Sequence, residues 1–375
     1  MIYFDNSATG GFKPSVVKDA AVNSLKYLCA NPGRSGHRLA TTGASIIYKC
    51  RETLSSLFSN GSPMRVCFTK NATEALNTAI FGTLKKGGHV ITTRSEHNSV
   101  LRPLFELEKR GDISLTLINP QHDILKQIKN ATRDNTYLVM INAVSNVTGA
   151  ENDLSGIGDY CREKKIIFGV DGAQACGHTH LNMTALGINF LAVAGHKGLY
   201  GGITVGALIF DKNTEIAPLT FGGTGTESFS PYQPEFYPEK LESGTLNLPA
   251  IASLGEGAFY VSRNIDTFAK ILIEYTATLI CGLEKLDCVT LYSTPNPYGI
   301  VAFSVDGFSS EEFADILSTD YDIAVRGGLH CAPLMHEWLG TIEGGLVRAS
   351  LAPQNSAREI YTFISAVKEI LSKKN

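Results

Sequence analysis

Short apolar runs recur along the first two-thirds of the chain: RVCFT (65–69), HVITT (89–93), SLTLIN (114–119), TYLVMINAV (136–144), KIIFGVD (165–171), FLAVAG (190–195) and VGALIF (205–210). Several are rich in β-branched residues and apolar throughout instead of alternating, which is how strands covered on both faces read. Helical patterns such as TEALNTAIFGTLKK and SGIGDYCREKK lie between most of them. Strands alternating with helices predict a mostly parallel sheet with helices on both faces. The link from FLAVAG to VGALIF is glycine-rich and too short for a helical crossover, so one antiparallel strand is predicted there.

The pattern changes beyond about residue 245. PAIASLGEGAFYVSRNIDTFAKILIEYTATLICGLEKL reads as one long helix, GIVAFSV and LVRASL as short strands, and SAREIYTFISAVKEILSKK as a closing helix. This predicts a smaller α+β domain. Between the two parts lies FGGTGTESFSPYQPEFYPEKLESGTLN, rich in Gly, Pro and aromatic residues. A loop of this length inside a compact domain is usually functional. The chain shows no internal repeat and no low-complexity tract.

Composition fits this picture. The 375 residues are 43% hydrophobic and 18% charged, as in a compact globular protein of two domains or one large α/β enzyme. The net charge of −3 comes from interspersed residues, so neither a nucleic-acid face nor a polybasic membrane anchor is expected. No stretch approaches the roughly 18 apolar residues of a spanning helix. The opening MIYFDNSATGG lacks a basic segment followed by an apolar run, so a secretion signal is not expected. The eight cysteines (29, 50, 67, 161, 176, 281, 288, 331) form no C-x-x-C pair, which argues against a zinc ribbon or a thioredoxin motif. No metal site is expected. Reduced thiols in a cytoplasmic protein are the expectation, most of them small buried hydrophobes.

The chemistry gathers at strand ends. FLAVAGHKGLYGG delivers His196 and Lys197 from a buried strand into a glycine-rich turn. Ligands of open α/β sheets bind beyond the carboxyl ends of the strands. A desolvated lysine there can act as a nucleophilic, Schiff-base-forming amine, although a solvated loop lysine is the plainer use. IIFGVDGAQACGH places Asp171 at the end of another buried strand. A carboxylate there can keep a pyridinium nitrogen protonated and make a pyridoxal ring an electron sink, or it can simply cap the next turn. The two residues lie 26 apart, from 171 to 197, on successive strand ends, a pairing the plain readings do not explain together.

Other positions add to them. In CFTKNATEALNTAI, Ala72 and Thr73 fall at a helix N-terminus, suited either to a cofactor phosphate or to ordinary capping by Asn71 or Thr73. His97 follows HVITT at the same sheet edge, where it can stack on a planar ring, shuttle a proton or sit on the surface. Asn146, ending MINAVSN, can donate to a phenolate or carboxylate oxygen. Arg348 in GGLVRASLAP can clamp a carboxylate bidentately or form a surface salt bridge. Cys331 in AVRGGLHCAPLMHEW alone among the cysteines sits in a loop dense in turn residues, directly after His330, a neighbour able to favour the thiolate.

The segments DNSAT, NPGRSGHRL, TKNATEALN, SEHNSV, SNVTG, DGAQA, GHKGLYG, LESGTLN, RGGLHCAPL and VRASL occur in this order from residue 5 to 351. The series resembles the pyridoxal-phosphate-dependent cysteine desulfurases, a branch of the class V aminotransferases of fold type I. The RGGLHCAPL loop is most similar to the second, SufS and CsdA, group. The resemblance implies a large cofactor-binding domain over 15–250 with a mostly parallel seven-stranded sheet. It implies a small α+β domain from 1–14 and 251–375 that carries the cysteine loop. Lys197 would bind pyridoxal 5'-phosphate covalently, Asp171 would pair with its ring nitrogen, and Gln174 would bond near its phenolate oxygen. His97 would stack on the ring. Ala72, Thr73 and His196 would hold the phosphate, with Thr224 reaching it from the second subunit of a homodimer. Asn146 and Arg348 would bind the substrate carboxylate, and Cys331 would accept sulfur from L-cysteine, leaving alanine and a persulfide for a protein sulfur acceptor, as in iron-sulfur cluster assembly. His330 or His97 would manage the thiol protons. A lyase acting on L-selenocysteine, another class V lyase or aminotransferase, and a non-catalytic scaffold are the alternatives. Two departures from the family pattern stand out: Ala194 replaces the serine usual before the His-Lys pair, and APLMHEWLGTIEGG follows Cys331.

Overall fold

The structure is a computed structural model that describes residues 1–28, 30–33, 35–120 and 123–374, without the side chain of Lys374. Cys29, and Arg34 of the NPGRSGHRL motif, lie outside the described residues. The chain opens with β1 (Ile2–Tyr3), α1 (Ser15–Tyr27) and α2 (Arg38–Phe58). Strands and helices then alternate: β2 (Val66–Thr69), α3 (Ala72–Gly82), β3 (Gly88–Thr93), α4 (Asn98–Lys109), β4 (Ile113–Ile118), α5 (Ile124–Ala131), β5 (Thr136–Asn142), α6 (Ile157–Lys164), β6 (Ile167–Asp171), α7 (Met183–Leu186), β7 (Phe190–Ala194) and β8 (Gly206–Phe210). Helices α8 (Leu248–Ser262) and α9 (Ile265–Leu283) lead to β9 (Val289–Leu291), β10 (Ile300–Val305), α10 (Ser310–Tyr321), β11 (Ile323–Ala324), α11 (Pro333–Leu339), β12 (Val347–Ser350) and α12 (Ala357–Lys374).

The seven strands read from the apolar runs form one sheet in the order β2-β8-β7-β6-β5-β3-β4. Six run one way; β8 pairs antiparallel with both β7 and β2. The Gly-rich link between β7 and β8 therefore reverses the chain, as its length required. Side chains alternate between two cores. Ile91, Val139, Ile141, Phe168, Val170, Leu191, Val193 and Ile209 point to the face covered by α2 and α8. Val90, Leu138, Met140, Phe190, Ala192, Leu208 and Phe210 point to the face covered by α3 and α4. Burial on both faces is why most positions of the inner strands are apolar, whereas the edge strand β4 is buried only at its two ends.

A second core packs α9, α10 and α12 against the antiparallel sheet β12-β10-β9, in the part of the chain expected to form the small domain. The N-terminal strand joins it: β1 pairs in parallel with β11, and Phe4 lies in the same core. The stretch read as one long helix is two, α8 and α9. Asn264 leaves helical geometry at φ −128° and ψ −3°, and its side-chain amide donates to Tyr260 O at 2.7 Å. An asparagine that bonds local backbone competes with helix continuation in this way. Leu248, Ala250, Ile251, Leu254, Ala258 and Val261 of α8, with Ile265 and Phe268, belong to the core of the main sheet. The domain limit expected at 250/251 therefore falls inside an element of the large core. Among the described residues no helix is long and apolar enough to cross a membrane.

Candidate active site

Strands β3, β5, β6 and β7 all end at one edge of the sheet, and the loops beyond them carry the singled-out residues. One cavity of about 220 Å³ at this edge is lined by Ala72, Thr73, His97, Asn146, Asp171, Gln174, His196, Lys197 and Arg348. Eleven further residues complete the lining, among them Ser7, Ser99, Asn142, Arg326 and His330. Cys331 and Thr224 are not in it. Cys331 is exposed in an adjoining groove that shares Thr73, His97 and Ser99 with the cavity. Thr224 is half-buried in the 219–245 loop, where its hydroxyl meets that of Thr226 at 3.1 Å.

Asp171 closes β6 in register with Asn142 of β5 and Ala192 of β7, and one of its oxygens accepts the Ala173 N–H at 2.9 Å. Burial pushes its carboxyl up, while that N–H and the charge of Lys197 hold it down. Burial lowers Lys197 to about 8, helped by Arg348 and Arg326 and opposed by Asp171. A buried acid and a buried amine thus share the cavity. Gln174 donates to Ser7 O at 3.2 Å, which ties the N-terminal segment to the β6 loop.

Helix α3 starts at the cavity wall. Asn71 is its cap, accepting the Glu74 N–H at 2.9 Å, so the capping task is already met before Thr73. The Thr73 hydroxyl instead lies 2.7 Å from that of Ser99. His97 caps α4: its Nδ1 accepts the Ser99 N–H at 3.0 Å, so the neutral ring carries its proton on Nε2. Burial, then Lys197, Arg326, Arg348 and Arg102, lower this ring to about 4. His196 is likewise lowered to about 4, by burial and then by Lys197 and Lys13. The carbonyl of His196 accepts from Gly10 N at 3.0 Å and from Lys13 Nζ at 2.9 Å.

Arg348 on β12 is 1% exposed. It donates through Nη1 to Asn146 O at 2.8 Å and pairs through Nη2 with Asp5 at 3.0 Å. Its Nε and the Oδ1 of Asn146 have no partner among the described residues. Buried groups of this kind are normally satisfied. An Nε and an Nη2 on the same edge of a guanidinium are the pair that meets a carboxylate bidentately. The Asn146 amide itself donates to His330 O at 2.7 Å.

The thiol sits in a tight turn. Leu329 O accepts the Ala332 N–H at 2.9 Å, and the two residues between, His330 and Cys331, have φ of 49° and 58°. Left-handed backbone at both central positions is normally given to Gly, Asn or Asp. Cys331 O accepts the Asn98 N–H at 2.7 Å, which places the turn beside His97. Arg326 Nη2 is 4.0 Å from Cys331 Sγ. His330 turns its ring inward: Nε2 donates to Leu346 O at 3.0 Å, and burial pushes it down to about 2.

Sequence reasoning missed Arg326, Asp5, Ser7 and Ser99. Arg326 had a signal, a cation just before the Gly-Gly pair of the thiol loop. Asp5 stood in a quoted motif, yet its partner is 343 residues away and no local spacing reveals it. Glu96 was also missed. It is fully buried beside the site, accepts from Asn142 N at 2.8 Å and the Thr93 hydroxyl at 2.6 Å, and burial raises it to about 8.

The aminotransferase class-V family model matches residues 2–363. A probable cysteine desulfurase of Methanothermobacter thermautotrophicus is 31% identical over 384 residues, which cover 98% of this chain and 94% of the relative. The cysteine desulfurase IscS of Colwellia psychrerythraea is 33% identical over 344 residues, covering 88% and 80%. The apo structure of a cysteine desulfurase from Thermococcus onnurineus NA1 superposes with a TM-score of 0.91 at 30% identity, covering 99% of this chain and 95% of that one. The chain belongs to the aminotransferase class-V family, in its cysteine desulfurase branch.

Proposed function

We propose that this protein is a pyridoxal-phosphate-dependent cysteine desulfurase, which takes sulfur from L-cysteine onto Cys331 and releases L-alanine. One observation carries the reading: Lys197, Asp171 and Arg348 line a single cavity, and Cys331 stands in the groove that opens from it. The residues present fit the cofactor. A buried amine, a buried carboxyl and a helix N-terminus surround the cavity, and three of its lining residues, Asn146, His330 and Arg348, hold polar atoms without a partner among the described residues. Lys197 would bind the cofactor, Asp171 would meet its ring nitrogen, and Gln174 and Asn146 its polar edge. His97 would lie against the ring, and Ala72, Thr73 and His196 would take the phosphate. Ala194 brings no hydroxyl to this group, and Thr224 from a second copy of the chain would supply one.

When bound, the cofactor supplies an electron sink for negative charge at the substrate Cα. The protein does the rest. Arg348 holds the α-carboxylate through Nε and Nη2. The neutral amine of Lys197 removes the Cα proton and later returns one. The Cys331 thiolate attacks the substrate sulfur: an S–S bond forms, the C–S bond breaks, and the carbon skeleton gains a proton to leave as alanine. Cys331 keeps the sulfur as a persulfide for an acceptor protein. His330, with its ring bonded inside the small domain, is poorly placed to handle the thiol proton; His97, beside the groove, is the better candidate. A homodimer is part of this reading. Phe221, Phe229 and Tyr232 of the 219–245 loop are 74%, 106% and 81% exposed, a surface suited to a second copy. A cytoplasmic setting suits the free thiols.

The test is product analysis on the purified, cofactor-loaded protein. L-Cysteine is expected to give alanine and Cys331 persulfide in equal amounts in a first turnover, and Cys331→Ala to give no enzyme-bound persulfide. Alanine formation at the wild-type rate by Cys331→Ala would overturn the acceptor assignment. A protein that takes up no cofactor would overturn the whole reading. L-Selenocysteine run in parallel reports whether the site prefers the heavier chalcogen.

A further inference from the structure

We infer that Asn146 is a positioning residue for the sulfur acceptor: its side-chain amide, on the cavity wall, clamps the strained thiol turn through the carbonyl of His330. This goes beyond substrate binding by Asn146, and it rests on the reading of Cys331 as the acceptor.

The argument starts from the turn. His330 and Cys331 both carry positive φ, 49° and 58°, and neither is a glycine. A β-carbon makes such backbone unfavourable, so it persists only where surrounding contacts over-determine it. The described contacts are few. Within the small domain, the Ala332 N–H closes the turn on Leu329 O, and His330 Nε2 reaches Leu346 O. Neither bond crosses to the domain that holds Lys197. Two others do: Asn98 N donates to Cys331 O, and Asn146 Nδ2 donates to His330 O, each at 2.7 Å. The first comes from the backbone at the start of α4. The second is the one side-chain bond by which the large domain grips the turn, among the described residues.

Asn146 is suited to this task. It is 6% exposed, and its own carbonyl accepts from Arg348 Nη1 at 2.8 Å. One residue thus touches both the arginine proposed to clamp the carboxylate and the turn that carries the thiol. The bonds fix the amide orientation: Nδ2 must face the His330 carbonyl, which leaves Oδ1 as the atom without a partner. A second N–H on Nδ2 is available for a substrate oxygen. With the clamp in place, Cys331 is held at the rim instead of sampling conformations in which its β-carbon is unstrained.

The test separates holding the thiol from binding the substrate. Exchange of the Cα proton of L-alanine with solvent needs Lys197 and the carboxylate clamp but no acceptor thiol, whereas persulfide formation from L-cysteine needs both. In cofactor-loaded Asn146→Ala, persulfide formation is expected to fall about ten-fold more than alanine exchange, the loss of roughly one hydrogen bond's worth of positioning. Amide hydrogen exchange over 326–333 is expected to quicken several-fold, without change in β6 or β7. Equal losses in the two reactions with unchanged exchange over 326–333 would overturn the inference and leave Asn146 a carboxylate ligand alone. Asn146→Leu, of similar volume, repeats the measurement if the alanine variant does not fold. Should the wild type exchange no alanine proton and form no persulfide, the proposed activity fails, while the hydrogen-exchange comparison still decides whether Asn146 clamps the turn.

Discussion

Arg348 shows how a single side chain is set by partners far along the chain. Its guanidinium is almost fully buried, and its one ion partner among the described residues, Asp5, arrives from the N-terminal segment. Removing one member of a buried pair leaves the other charge uncompensated. We expect Asp5→Ala to destabilise the protein by about 3 kcal/mol, the low end for buried pairs because Asp5's side chain is 22% exposed. Urea unfolding measures this. The same variant is expected to raise KM for L-cysteine more than it lowers kcat, because Nη2 then lacks the group that orients it. A change in kcat alone would place Asp5 elsewhere in the reaction. Lys197 yields a second residue-level expectation. With a pKa of about 8, about a tenth of the amine is neutral at pH 7 and most of it at pH 9. Uptake of pyridoxal phosphate by the cofactor-free chain, followed by absorbance, should therefore accelerate as pH rises through about 8 and level off above it.

The elements meet through a few specific contacts. Arg51 of α2 meets Glu242 bidentately at 2.9 and 2.6 Å, both side chains nearly buried, and lies 4.6 Å over the ring of Phe68. Glu242 also accepts the Phe68 N–H at 2.6 Å, so α2, the edge strand β2 and the LESGTLN segment share one knot. Glu242→Ala should cost about 3–5 kcal/mol, read as a lower urea midpoint. Glu242→Gln should recover part of it, since it keeps the acceptor for Phe68. Gly158 marks another junction: a β-carbon there would collide with Leu186 O, so α6 can approach α7 only without a side chain. Such contacts explain which elements were readable in advance. The inner sheet strands were legible because burial on both faces leaves a largely apolar signal, and the β7–β8 reversal because its link is short. The α8–α9 break was not legible, since it depends on one asparagine bonding its own helix. Strands β1 and β11, at two residues each, carry too little pattern to read. In the site, Lys197 and Asp171 were legible from their place at strand ends. Asp5, Arg326 and the Asn146–His330 bond were not, because each depends on a small-domain segment folding back onto the sheet edge.

At the scale of the whole molecule, the distribution of buried titratable groups sets how the fold responds to acid. Burial lowers His89, His97, His178 and His196 to about 4 each, pushes His330 lower still, and depresses His336. These rings span both domains, from β3 of the main sheet to α11. Between their ordinary value near 6.5 and about 4, the unfolded chain binds protons that the folded chain refuses. Stability from these groups is therefore present above about 6.5 and is lost as pH falls. Three buried acids act in the opposite sense, Glu96 at about 8 and Asp171 and Glu242 raised by burial, because the folded state keeps protons the unfolded state releases. The lowered histidines outnumber the raised acids, so unfolding near pH 5.5 takes up protons on balance. The urea midpoint should thus fall steadily from pH 7 to pH 5, and the sign of its slope reports net proton uptake on unfolding. His89 allows the point to be isolated, since both its ring nitrogens are occupied by threonine hydroxyls, Thr136 at 2.7 Å and Thr116 at 2.8 Å, far from the cavity. His89→Gln should shift the acid limb toward lower pH while leaving activity at pH 8 unchanged. A midpoint that holds level from pH 7 to pH 5 would mean that the buried acids, and not the histidines, govern the acid response.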